Sequence, residues 1–238
     1  MKLSIIIPVY NEEKTIVEIL DKVKGLTLQK TDIEIIVIDD GSTDKTKQLL
    51  RKVKFNSKNF KHISHKKNLG KGAAVRTGLS HATGNYVIIQ DADLEYNPQD
   101  IASLIIPILK KRGDVAYGTR LKRLPHFRAE EKTVRFAIHY TGNKLLSLLT
   151  TILYGQRITD METCYKLFPK YALENIVLRA RGFEFEPEIT AKLIKQRLKI
   201  IEIPITTSPR GYKEGKKLRT IHDGLMAVST LIKYRFVD

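Results

Sequence analysis

Five short runs rich in Ile, Val and other aliphatic residues punctuate the first half of the chain: KLSIIIPVY, IEIIVID, FKHISH, YVIIQ and DVAYGT. KLSIIIPVY and YVIIQ do not alternate apolar with polar, so a strand made from them must be covered on both faces, as in a parallel sheet. Helical stretches separate the runs: one after NEE, one after DGSTDKT, one in GKGAAVRTGLSHATG and one in PQDIASLIIPILKKR. Asn11 reads as the cap of the first helix with Glu12 and Glu13 in its first turn, Ser42 or Thr43 as the cap of the second, and Gly84 as the end of the third. Strand–helix alternation of this kind predicts an α/β fold: a doubly wound, mostly parallel sheet with helices on both faces.

Beyond about residue 120 the pattern loosens. RLKRLPHFRAEEKTVR is a basic loop leading into a helix over roughly 131–153, whose end, LLSLLTTILYG, is strongly apolar. A helix near Pro187, a strand in LKIIEIPI, a second basic loop, SPRGYKEGKKLRT, and a last helix to about Arg235 follow. With no repeat or linker-like tract, the chain reads as a single globule, residues 1–120 forming its ligand-binding α/β half and 121–238 an extension of it.

Composition narrows the partners. The formal net charge of +16 over 238 residues points to phosphate: nucleic acid, anionic lipid or phosphorylated small molecules. No zinc finger or RNP aromatic motif is present and Trp is absent, so no specific nucleic-acid partner is indicated. The single Cys164 excludes an internal disulfide framework and fits a reducing cytoplasm, and the six scattered histidines give no zinc spacing. No apolar run reaches the roughly 18–20 residues of a membrane-spanning helix, and MKLSIIIPVYNEE turns acidic too soon for a secretory signal.

Doubly wound sheets bind ligands at the carboxyl ends of their strands, where the polar residues of this chain collect. Tyr10 follows the first strand, Asp39 and Asp40 the second, and Asp91 and Asp93 the fourth. In an extended segment residues i and i+2 point the same way, so Asp91 and Asp93 reach one point. Two carboxylates without soft ligands suit Mg²⁺ or Mn²⁺, ions that also bind substrate phosphates. The spacing alone is weak, and a solvated, helix-capping turn is its plain alternative; the convergence of three strand ends carries the argument. Asp39 and Asp40 suit a ribose or base through charge-assisted hydrogen bonds, or the start of the DGSTD turn. Pro8 and Tyr10 offer an edge for a nucleobase. NLGKGAAVRTG is neither a P-loop nor a dinucleotide fingerprint, and reads better as small residues for close helix-on-sheet packing.

Together, SIIIPVYNEEKTI, VIDDGSTDKT, NLGKGAAVRTGLSHATG, QDADLEYNPQD and YGTR resemble, in that order, family 2 glycosyltransferases of GT-A fold. TDMETCYKLF, GFEFEPEITAK and PRGYKEGKK are similar to the branch around dolichyl-phosphate mannose and glucose synthases. The resemblance implies inverting transfer from a nucleotide-diphosphate sugar. Pro8, Tyr10, Glu12 and Asp40 would then line the nucleotide pocket, and Asp91 and Asp93 would hold the metal with Gln90 beside them. Arg120 would lie close to the reacting phosphates, with Arg210 and neighbouring lysines such as Lys216 covering the donor. There is no Gln-x-x-Arg-Trp motif, so polymer synthesis is not implied.

The acceptor follows from charge. A polyprenyl phosphate is already an anion and needs cations, not a base; Arg120, Lys122, Arg123, Arg128, Arg135, Arg210, Lys213, Lys216 and Lys217 supply them, with Arg128 or Arg135 the candidates for orienting it. A sugar or glycan hydroxyl would need a carboxylate base, for which Asp160 and Glu162 are the candidates against a capping role. Glu184, Glu186 and Glu188 fit a helix start by the dipole alone, with a site role for Glu186 as the lesser alternative. The apolar LLSLLTTILYG and the last helix serve either as core or as a stripe on an anionic membrane, giving a peripheral protein of the inner membrane face, with a small membrane anchor protein as a further partner. A basic RNA- or membrane-binding protein without catalysis is the remaining alternative, opposed by the acidic pair.

Overall fold

The computed structural model describes residues 1–53, 59–120, 134–208 and 220–237, with backbone alone at 134–137, 220 and 221. The strands are β1 Lys2–Val9, β2 Asp32–Asp39, β3 Phe60–Ser64, β4 Tyr86–Ile89, β5 Val115–Thr119, β6 Lys166–Pro169 and β7 Ile200–Pro204. The helices are α1 Ile16–Lys24, α2 Thr46–Lys52, α3 Lys71–His81, α4 Asp100–Leu109, α5 Val134–Tyr154, α6 Phe185–Lys195 and α7 Thr220–Phe236. All the strands join one sheet in the order β3-β2-β1-β4-β6-β5-β7.

β1 lies between β2 and β4 and is parallel to both. Its Leu3, Ile5, Ile6, Ile7 and Val9 are at most 1% exposed, the burial on two faces that an unbroken apolar run demands. The chain winds from β1 outward to β3, then returns past β1 to β4. Right-handed crossovers therefore place α1 and α2 on one face and α3 on the other, and α3 packs on β1 and β2. The reversal makes the gap between β1 and β4 a topological switch point, where such sheets bind ligands.

β6 is the strand the sequence pattern misses. It runs antiparallel between β4 and β5, so the residues that precede it, 160–165, reach the same rim as the ends of its neighbours. β6 and β7 also knit residues beyond 120 into the sheet of the first half.

Several expected boundaries shift. Asn11 does not cap α1, which begins at Ile16; it has φ +51, and its Oδ1 accepts the Thr43 amide at 2.8 Å. Ser42 and Thr43 do not cap α2 either, because Ser42 Oγ accepts the Asn11 amide and Asp44 Oδ1 takes the Thr46 amide at the helix start. α3 ends at His81, before Gly84. Close helix-on-sheet packing falls to Gly78, where a Cβ would lie 2.4 Å from Ile6 Cγ2. Away from the rim, Glu34 is a structural acid: burial opposes its charge, but Lys61, Ser4 and Thr83 bond it and hold its pKa at about 2.

Candidate active site

β2 delivers Asp39 and Asp40 to the rim, both buried. Asp40 is spent on the fold. It accepts the amides of Leu69 at 3.0 Å and Gly70 at 2.8 Å and meets His65 Nδ1 at 2.6 Å, tying the loop after β3 to the end of β2. Asp39 differs. Its Oδ1 takes the Ser42 amide at 2.9 Å, while Oδ2 is buried with no hydrogen-bond partner among the described residues. An unmade bond to a buried carboxylate is costly, so Asp39 has the larger acceptor capacity left of the pair. Pro8 and Tyr10 lie half-buried at the end of β1, and Glu12 accepts the Thr15 hydroxyl at 2.9 Å.

β4 delivers Gln90 and Asp91. Gln90 is buried; its amide group donates to the Asp91 carbonyl at 3.0 Å and its oxygen takes the Tyr165 hydroxyl, which fixes the exit of β4 against β6. Asp91 Oδ1 and Oδ2 lie 2.9 and 3.1 Å from Lys71 Nζ. Lys71 opens α3 directly after Gly70, the residue Asp40 grips, so residues 39–40 and 91 stand on one rim, joined by two adjacent residues. Lys71 Nζ is also 3.5 Å from Glu186 Oε1. The other Glu186 oxygen is 2.6 Å from Lys166 Nζ, a fully buried ammonium that also donates to the Met161 and Thr163 carbonyls. Charges thus alternate from Asp91 through Lys71 and Glu186 to Lys166. Burial alone would lower the Lys71 pKa, but Asp91 and Glu186 raise it well above its ordinary value. Cys164 lies against Asp91, and burial with that negative charge pushes its thiol pKa well up. Asp93 Oδ1 accepts the Glu95 amide at 3.0 Å.

Arg120 directly follows β5 and clamps Asp160. Arg120 Nε and an amino group donate to the two Asp160 oxygens at 2.8 and 2.7 Å, its own amide donates at 2.9 Å, and Asn143 adds a bond at 2.7 Å. Glu202 on β7 accepts the Thr159 and Asp160 amides and so holds the turn beneath. Burial works against the Asp160 charge, but the Arg120 guanidinium and these bonds keep its pKa below the usual carboxylate range. Glu162 is the opposite case. Burial raises its pKa to about 7, with Lys166 opposing and Glu186 reinforcing the rise, and its Oε1 is buried with no hydrogen-bond partner among the described residues.

Of the expected site residues, Pro8, Tyr10, Glu12, Asp39, Asp40, Gln90, Asp91, Asp93, Arg120 and Asp160 all follow strand ends on this rim or adjoin them. Arg128, Arg210 and Lys216 lie outside the described residues, as does the side chain of Arg135. Sequence reasoning missed Lys71 and Lys166. The only signal for Lys71 was its place between two glycines. Those glycines serve close approach to residues 180–182, not to the sheet: a Cβ on Gly70, whose φ is +99, would meet the Arg181 carbonyl oxygen at 2.3 Å.

Asp91 and Asp93 fit a hard divalent cation in kind. Among the described residues no cluster of three His, Cys, Asp or Glu forms a complete cage, so the remaining positions would fall to phosphate oxygens and water, the usual composition of a Mg²⁺ site. The Lys71 ammonium lies within 3.1 Å of both Asp91 oxygens.

A doubly wound sheet with one reversed strand, its acids gathered at the switch point, is the architecture of a GT-A glycosyltransferase. The sequence profile described as glycosyl transferase family 2 matches residues 4–177. The UDP-N-acetylglucosamine--dolichyl-phosphate N-acetylglucosaminyltransferase of Methanococcus voltae is 31% identical over 220 residues, covering 85% of this chain and 84% of its own. The dolichyl-phosphate beta-glucosyltransferase of Saccharomyces cerevisiae is 30% identical, covering 98% and 74%. The fold is shared with the glucosyl-3-phosphoglycerate synthase of Mycobacterium tuberculosis, solved with Mn²⁺, UDP and glucosyl-3-phosphoglycerate, at a TM-score of 0.68 and 21% identity over all of this chain and 81% of that one. The chain belongs to glycosyl transferase family 2, and it is a glycosyltransferase.

Proposed function

We propose that the enzyme moves a hexose from a nucleotide-diphosphate sugar to a polyprenyl phosphate, with inversion, at an anionic membrane surface. The archaeal and yeast relatives support the acceptor class by their names. The observation that carries the reading is the Arg120–Asp160 clamp. A hydroxyl acceptor needs a free carboxylate base, and Asp160 is already neutralised by a bidentate guanidinium. A phosphate acceptor needs only cations to place it.

In this reading residues 1–120 hold the donor and 121–238 the acceptor. Asp39, Pro8 and Tyr10 grip the nucleotide, and Gln90 holds Asp91 in place. A divalent ion on Asp91 and Asp93 would neutralise charge on the departing diphosphate. Arg120, fixed by Asp160, faces the reacting phosphates; Arg210 and Lys216 cover the donor, and Arg128 or Arg135 orients the acceptor. The acceptor oxygen bonds to the anomeric carbon from the face opposite the leaving diphosphate. The decisive assay offers UDP- and GDP-sugars with a short polyprenyl phosphate. An inverted lipid phosphosugar is the expected product, and transfer to neutral hydroxyl acceptors alone would overturn the proposal.

Glu162 favours a second reading, with a hydroxyl acceptor, because a carboxylate titrating at about 7 suits a general base. Glu162→Gln separates the two. Under the phosphate reading kcat stays within about tenfold of wild type; a base would lose roughly 10²–10⁴-fold. The same variant reads out linkage. A folded pKa of about 7 against the ordinary value of 4.5 gives stability that is full below about 4.5 and lost as pH rises through 7. Glu162→Gln is therefore more stable than wild type at pH 8, by up to roughly 2–3 kcal/mol, and the gap vanishes at pH 4 in denaturant titrations.

The membrane surface is supported by apolar residues that α5 and α7 turn outward. Leu145, Leu148 and Ile152 on α5 are 60%, 56% and 70% exposed, and Leu225 and Phe236 on α7 are 67% and 78% exposed, with Lys233 and Arg235 exposed beside them. Among the described residues no helix is long and apolar enough to cross a membrane; side chains at helical spacing suit an interfacial stripe. Leu148→Asp/Ile152→Asp is expected to weaken binding to vesicles of anionic phospholipid by at least about tenfold, since each buried Leu or Ile contributes roughly 1.5–3 kcal/mol. Turnover of a water-soluble acceptor should be unchanged. A small membrane anchor protein would add to the same attachment.

A further inference from the structure

Lys71 stands between two carboxylates that hold it unequally. Both Asp91 oxygens lie within 3.1 Å of its ammonium. Glu186 Oε1 lies 3.5 Å away and is buried with no hydrogen bond among the described residues, although Glu186 Oε2 is bound by Lys166. A buried carboxylate oxygen in ion-pair range of an ammonium, but not bonded by it, is an acceptor that gains when the donor moves closer. The backbone beneath cannot follow such a move. Asp40 holds the Gly70 amide, and residues 70 and 72 abut the carbonyls of 180–182 too closely to admit a Cβ. Only the Lys71 side chain, with its flexible four-carbon stem, is left to turn.

We infer that Lys71 is a two-position counter-ion guarding Asp91: bonded to Asp91 it opposes entry of a divalent cation, and it transfers to Glu186 Oε1 when that cation arrives with a diphosphate. This rests on the reading of Asp91 and Asp93 as the metal pair. An ammonium and a divalent ion on the same carboxylate repel, and with the Lys71 side chain 14% exposed the repulsion is poorly screened. Glu186 returns most of the ion pair that Asp91 gives up. The diphosphate adds negative charge beside the metal and tips the balance, so metal and nucleotide affinities become coupled, each raising the other.

The test is Mn²⁺ binding followed by electron paramagnetic resonance on the purified full chain, without nucleotide and with UDP or GDP. Wild type should bind Mn²⁺ at least about tenfold tighter with the nucleotide diphosphate, within the usual range of coupled sites. Lys71→Met should bind nucleotide-free Mn²⁺ about tenfold tighter than wild type and lose most of the coupling, because the competing charge is gone. Glu186→Gln should act in the opposite sense, with Mn²⁺ weakened several-fold in the presence of diphosphate, because Lys71 has lost its alternative partner; it decides the matter alone if Lys71→Met does not fold. The inference is overturned if neither variant shifts Mn²⁺ affinity while Asp91→Asn abolishes binding. If Asp91→Asn leaves Mn²⁺ binding untouched, or wild type binds none with either diphosphate, the metal reading itself fails.

Discussion

Asp91→Asn is expected to cut sugar transfer by at least about a thousandfold, the scale on which removal of one charged stabiliser of a developing anion is felt. The fold should barely register the change. The side chain is 20% exposed and its described polar contacts are those with Lys71 and Cys164; asparagine keeps the shape and one accepting oxygen, and Lys71 retains Glu186 at 3.5 Å. A melting shift within about 4 °C is expected for a domain of this size. What disappears is the negative charge that would hold a cation against the diphosphate. Initial rates over a range of Mn²⁺ concentrations, paired with melting curves, make the check. Transfer within tenfold of wild type, in a variant that melts normally, would remove Asp91 from the chemistry. Asp93→Asn should behave alike, since asparagine can still accept the Glu95 amide.

The frame of the molecule was legible because its signal is local. An Ile/Val run buried on two faces can hardly be anything but an inner strand, and the ends of β1, β2 and β4 fall where Tyr10, Asp39 and Asp91 stand. β6 was not legible. Its four residues, KLFP, begin with a charged Lys166, and a buried lysine argues against a strand until its partner is known; that partner, Glu186, lies 20 positions later. Asn11 failed for the same reason. N-E-E is a sound cap signal, but the side chain bonds to the turn at 43–44, more than 30 residues away. Local chemistry also could not divide roles within pairs. Asp39 and Asp40 are indistinguishable in the string, yet one keeps an open oxygen and the other holds a loop. Asp160 and Glu162 were equal candidates for a base until Arg120 took one of them. In each case the sequence contains the charge, and only the tertiary partner decides whether it is structural or available.

That division gives Asp160→Asn the largest effect on the fold together with a large effect on activity. Asp160 is fully buried, Arg120 is 27% exposed, and every contact named above for the Asp160 side chain is a donor aimed at its carboxylate. Breaking such a pair leaves a guanidinium half-sunk without its counter-charge, which costs about 3–5 kcal/mol and should lower the melting temperature by roughly 10 °C. The sign with pH follows from a depressed pKa: the stabilisation is full above the ordinary value of 3.8 and is lost as pH falls through the lower folded value. Wild type and variant should therefore converge in acid and separate at neutrality. Activity discriminates position from proton transfer. If Asp160 only fixes Arg120, then Asp160→Asn and Arg120→Lys fall together, with weaker donor binding and an unchanged pH profile. If Asp160 were a base, its loss would abolish kcat and change the pH profile while donor affinity stayed near wild type. The bidentate geometry, with Asn143 and Glu202 bracing the turn from below, predicts the first outcome, because a carboxylate already held by a guanidinium gains little by accepting a proton at neutral pH.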